Sequence, residues 1–108
     1  MIALIQDNVQ QIRALCERFD VRRLELFGSA ATGRFDPAQS DIDFLVDLGE
    51  YDITALDRYM GLAEALERLL GYDVDLVTRP TLRNPHFVRS IENARVTLYE
   101  AEGRQAAA

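Results

Sequence analysis

What the chain lacks already narrows its role. It has a single cysteine, so no internal disulfide framework can brace it, and Cys16 falls at an apolar position of a helical pattern, where it reads as a small core residue rather than a reactive thiol. It has no continuous apolar stretch long enough to span a bilayer. Its start lacks the basic head and apolar core of a signal peptide, so no membrane association is expected and the expected location is cytoplasmic. Basic residues are the minority, 12 against 18 acidic ones, for a formal net charge of -6. That balance argues against tight, nonspecific binding along a nucleic-acid backbone, while a small nucleotide escorted by metal ions stays compatible with it. No repeat or linker is visible, and the only low-complexity feature is the terminal Ala run.

What is present is an ordinary globular composition, 48% hydrophobic and 28% charged over 108 residues. This is enough for one core, expected as a single domain over residues 1–102 with a frayed tail over 103–108. It is too little for a catalytic domain and a separate substrate domain, so a large acceptor must be bound by another chain or on an open face.

Ile5, Val9, Ile12, Cys16 and Phe19 recur at spacings of four and three, which predicts an amphipathic helix. From Val21 to Phe27 the chain alternates and ends at Gly28-Ser29, a strand meeting a tight turn. After a loop, Asp41 to Leu48 reads as a second, largely buried strand. Ile53, Leu56, Met60, Ala63, Leu66 and Leu70 trace a second helix stripe, opened by Asp52 or Thr54 as cap and stopped by Gly71. Its apolar face is core by default, with any surplus available to a partner helix. Tyr72 to Thr78 is a third strand, Pro85 to Ala94 a third helix, and Val96 to Tyr99 a short last strand. Alternating helices and strands predict an α/β or α+β sheet with helices packed on it, of unreadable strand order.

The chemistry concentrates in "LFGSAATGRFDPAQSDIDFLVDL". Residues two apart in a strand share a face, so Asp41 and Asp43 project together while Ile42 points away. Two carboxylates that close repel unless a cation sits between them, and Mg²⁺ prefers such oxygen ligands. A third acid, Asp75, lies inside the apolar run of "YDVDLVT", where a lone charge needs a partner. Beside the other two it would complete a set able to hold two metal ions about 3.5 to 4 Å apart, as phosphoryl and nucleotidyl transfer require. Asp73 shares its face but sits nearer the strand end, and ranks below it.

Gly28 lets the backbone turn sharply and approach a phosphate, Ser29 offers an amide and a hydroxyl, and Ala30, Ala31 and Gly33 keep the wall low. No Gly-Lys-Ser/Thr follows, so this is not a Walker loop.

"LFGSAATGRFDPAQSDIDFLV" resembles the signature of the minimal nucleotidyltransferases of the DNA polymerase β superfamily, a strand ending in Gly-Ser and a loop leading to Ser-Asp-Ile-Asp. "DVDLVTRPTL" looks like the segment bearing the family's third carboxylate, and "FVRSIENARVTLYE" is similar to its closing helix and strand. The resemblance implies a nucleotidyltransferase fold, a mixed β-sheet flanked by helices. It implies that Asp41 and Asp43 bind two Mg²⁺ ions, that Asp75 completes the site as ligand and base, and that Gly28, Ser29 and Ser40 contact the nucleotide, with ATP as donor. It further implies an antitoxin that transfers AMP to a tyrosine of a HEPN-domain ribonuclease toxin. The family often has an Arg between the Ser and the second Gly of this loop, where this chain has Ala30, Ala31 and Thr32. Arg34 is the candidate substitute as phosphate contact, and the departure sustains an alternative, an antitoxin that neutralises its HEPN partner by binding alone.

Taken alone, an Asp-x-Asp is a solvated strand end. With Gly-Ser upstream and Asp75 downstream, the metal reading is preferred. Ser40 reads first as a turn or capping hydroxyl, since no His is near in sequence to activate it as a nucleophile. His86 and the arginines Arg79, Arg83 and Arg89 read as solvated or structural, and Tyr51, Tyr59, Tyr72 and Tyr99 as packing residues. A glycosyltransferase also uses Asp-x-Asp for metal, but its nucleotide-sugar site normally needs a longer chain.

Overall fold

A computed structural model describes residues 1–78 and 95–101. The expected helix over 85–94, His86, Arg79, Arg83, Arg89 and the tail over 103–108 lie outside the described residues.

The first apolar stripe forms two helices rather than one, α1 (Ala3–Asp7) and α2 (Val9–Arg18). They meet at Asn8, whose side-chain amide donates to the Leu4 carbonyl. Ile5, Ile12 and Cys16 are buried, as their spacing predicts. The strands are β1 (Arg23–Phe27), β2 (Ile42–Asp47), β3 (Val74–Thr78) and β4 (Val96–Glu100), each within a residue or two of its expected span. A one-turn helix, α3 (Ser29–Thr32), stands where a loop was expected, and the long helix α4 (Ala55–Leu70) joins β2 to β3.

The strands form one mixed sheet in the order β3-β2-β1-β4. β1 pairs antiparallel with β2 and β4, while β2 and β3 are parallel. A parallel pair needs a long crossover, and α4 supplies it. Leu24, Leu26, Phe44, Val46 and Leu76 of the sheet join Ile5, Ile12, Leu62 and Leu66 of the helices in the main core. The opposite face carries a smaller cluster of Phe27, Leu45 and Val77. That second face is also the face of Asp43 and Asp75.

The α4 stripe corrects the sequence expectation. Leu66 and Leu70 are buried, but the rest of the buried side is Ala55 and Leu62, while Ile53 (96% exposed), Leu56 and Met60 face outward. Gly61 explains part of the phase, because a Cβ there would meet the Phe19 ring at 2.5 Å. The helix opens at Thr54 without a side-chain cap, and Asp52 instead accepts from the Thr54 amide at 2.9 Å. It stops at Gly71, as expected.

α4 also shields the open edge of the sheet. The Tyr59 hydroxyl donates to the Leu76 carbonyl at 2.5 Å, and the Glu67 carboxylate accepts from the Val74 amide at 3.0 Å, so two main-chain groups of β3 are held by side chains. Among the described residues Glu25 is the one buried charge, and it lies between Arg23 (3.2 Å) and Arg95 (2.9 Å), tying β1 to the entry of β4.

Candidate active site

The site is built where β1 ends. Phe27 pairs with Asp43, and the chain then turns at Gly28 with φ +72° and ψ −153°, a conformation essentially reserved for glycine. The turn is also tight for a second reason, since a Cβ on Gly28 would run into Asp43 Oδ2. Turn and carboxylate therefore form one unit.

On its other side Asp43 pairs with Asp75 in the parallel register of β2 and β3. Asp41 lies one residue outside β2, near enough for its charge to act on Asp43. Asp43 is half-buried, and its carboxyl is pushed up to about 6, first by loss of solvent, then by the charges of Asp75 and Asp41. Asp43 thus feels the charges of both neighbours. Asp75 is exposed on an edge strand, yet that strand adjoins Asp43 directly. Asp73 precedes β3, is exposed and has no strand partner, and its carbonyl accepts from the Ile42 amide at 3.0 Å. Its part is to align the two strands through its backbone.

The donor set fits a hard divalent cation. It consists of carboxylate oxygens whose mutual repulsion a cation would relieve, beside a glycine that leaves Asp43 Oδ2 uncrowded. Among the described residues no three His, Cys, Asp or Glu side chains stand, as they lie, close enough together to hold a metal ion. Asp41 and Asp75 are exposed, so neither side chain is locked in its rotamer.

Ser29 opens α3 and is half-buried next to Gly28. The amino-terminal segment pins that turn, with the Ile2 amide donating to the Ala30 carbonyl at 3.0 Å. Ser40 sits just before Asp41, and its Oγ accepts from the Asp36 amide at 2.9 Å, closing the turn over residues 36–40. Arg34 is exposed beyond Gly33 and makes no hydrogen bond or ion pair among the described residues. The loop bearing Arg34 and Ser40 is anchored by Phe35, whose ring packs edge-on against Tyr72 with centroids 5.2 Å apart.

Sequence reading missed the side chain that fixes the next loop. Arg58 donates to the carbonyls of Asp20 (3.1 Å), Leu48 (3.1 Å) and Glu50 (2.9 Å) and to Thr54 Oγ1 (3.0 Å), holding the connection from β2 to α4. An arginine within an apolar helix turn was the available signal, but its carbonyl partners carry no mark in a sequence.

Residues 9–98 match the model of the nucleotidyltransferase domain family. The chain is 43% identical over 72 residues to a protein adenylyltransferase, MntA, of Thermococcus cleftensis, an alignment spanning 67% of this chain and 70% of that protein. A solved structure described as a candidate minimal nucleotidyltransferase superposes with a TM-score of 0.71 at 30% identity, over 88% of this chain and 95% of that one. The fold also matches an MNT antitoxin complex with the tri-AMPylated HEPN toxin of Shewanella oneidensis, with a TM-score of 0.60, 22% identity and coverage of 94% of this chain and 77% of that one. The mixed sheet, the glycine turn against Asp43 and these likenesses agree: the chain belongs to the nucleotidyltransferase family, in its minimal, MntA-like branch, and is by class a nucleotidyltransferase.

Proposed function

We propose that this chain, working as a single domain in the cytoplasm, is an antitoxin that transfers AMP from ATP to a tyrosine of a HEPN-domain partner. The observation that carries the reading is the direct pairing of Asp43 with Asp75, beside the Gly28 turn and Asp41. The likeness to an adenylyltransferase, and the fold shared with an antitoxin bound to an AMPylated HEPN toxin, support the choice of donor and acceptor.

Asp41, Asp43 and Asp75 would hold Mg²⁺, in a pair. The metal, when bound, supplies charge neutralisation for the triphosphate and the developing oxyanions. This chain's own groups do the rest. Gly28 and Ser29 receive phosphate oxygens through backbone and hydroxyl, the Ser40 O–H keeps its proton free to donate, and Arg34 offers a cation at the loop. Asp75, exposed at the sheet margin, accepts the tyrosyl proton as the phenolic oxygen attacks the α-phosphorus of ATP. The new bond joins tyrosyl oxygen to AMP, the bond to the β-phosphate oxygen breaks, and pyrophosphate leaves.

Radiolabelled ATP with Mg²⁺ should label a tyrosine of the partner, and Asp43→Asn should remove the label. Persistent labelling by a folded Asp43→Asn protein would refute the assigned role. The exposed, uncontacted Arg34 favours keeping the second reading, neutralisation by binding alone. In that case Asp41→Asn and Asp43→Asn proteins still rescue growth from the toxin.

A further inference from the structure

A groove of about 630 Å³ lies between the first turns of α4 and the edge strand β3, with Tyr51, Ala55, Leu56, Tyr59 and Leu76 among its walls. It reaches Asp75 near the start of β3 and Thr78 at the end of that strand. The groove is continuous with the surface that α4 leaves uncovered. Ile53, Leu56 and Met60 are 96%, 67% and 60% exposed, and Leu56 belongs to both groove and surface. Isolated apolar residues on a surface need no explanation, but a group of them at helical spacing beside an apolar groove marks a contact surface.

Two further features define what fits. Among the described residues that wall the groove, Asp52 and Asp75 are acidic and none is basic. The rim is therefore negative and selects a basic neighbour. The Leu76 carbonyl and Val74 amide are already held by Tyr59 and Glu67, so β3 is poorly disposed to accept an added strand. Side chains must make the contact.

We propose that this groove docks the acceptor segment of the partner: a helical segment with apolar and aromatic side chains and Lys or Arg flanks, laid so that its hydroxyl-bearing residue reaches Asp75. The proposal rests on the reading of this chain as an adenylyltransferase of a HEPN-type protein. It adds where that protein binds and what it must present.

The test uses the full chain co-expressed with the HEPN-domain proteins of its own genome, taking the one that forms a complex with wild type. Leu56→Glu and Ile53→Glu change exposed positions outside the catalytic set, and circular dichroism confirms their folding. Each should raise the partner's Kd, and its KM in the labelling reaction, by about tenfold or more, leaving kcat and the KM for ATP within about twofold. Raising NaCl should weaken wild-type binding, as a basic-flanked segment requires. If both variants bind and label as wild type does, the docking surface is wrong. If nothing is labelled by any protein but Leu56→Glu still loses the complex, the catalytic reading fails and the docking surface stands. If no HEPN-domain protein binds wild type, both fall.

Discussion

Asp43 and Asp75, separated by the whole of α4 in sequence, are direct partners across the parallel ladder of β2 and β3. Asp73, two residues earlier, has no such partner and contributes a carbonyl to the backbone. Register thus separates two acids that composition cannot tell apart.

Asp75→Asn should therefore lower partner labelling on the order of 100-fold or more, while Asp73→Asn stays within a few-fold of wild type. Initial rates with radiolabelled ATP at saturating Mg²⁺ measure both. Equal losses would remove Asp75 from its assigned place.

Asp43 also costs the fold something. Its folded-state pKa, about 6, lies above that of a free carboxyl, so the folded chain holds a proton that the unfolded chain releases. Stability from this group is full below about pH 4 and is lost as pH rises through about 6. Without metal at pH 7.5, Asp43→Asn should raise stability by about 1 to 2 kcal/mol, after discounting for the partly solvated setting. Thermal melts at pH 5 and 7.5 check the sign, since the gain should shrink at the lower pH. Adding Mg²⁺ should raise the wild-type Tm and leave that of Asp43→Asn nearly unchanged.

Gly28→Ala should destabilise the chain by about 1 to 3 kcal/mol, because it forces a side chain into a glycine-only conformation and against Asp43. Labelling should fall with it. Urea denaturation and labelling of the same sample separate the two losses, and labelling should stay low even where the protein is fully folded.

Arg58→Ala should cost about 2 to 4 kcal/mol, since it strips donors from the Asp20, Leu48 and Glu50 carbonyls. Arg58→Lys should recover little, because an ammonium cannot reproduce the guanidinium fork. Chemical denaturation measures each.

How far the sequence could be read follows from range. The strand carrying Asp43, with Asp41 just ahead of it, the Gly28 turn and the acid at 75 are local patterns, and each appears within a residue of where alternation and turn chemistry put it. Ile53, Leu56 and Met60 matched a helical period as well as the true buried residues did, and nothing local could say which face meets the sheet. One contact that sets the face, Phe19 against Gly61, joins distant segments. Glu25 is a similar case: it is buried within β1, but its partner Arg95 lies 70 residues on. Ser40 closes a turn, as its position suggested.

The parallel pairing of β2 with β3 carries a consequence for the order of events during synthesis. No hairpin can join such strands, so the third acid reaches the other two only after α4 has been made and has crossed back. A ribosome-bound chain that ends before β3 displays two of the carboxylates and lacks the third. The three-acid cluster is therefore complete only late in synthesis, when the crossover has closed.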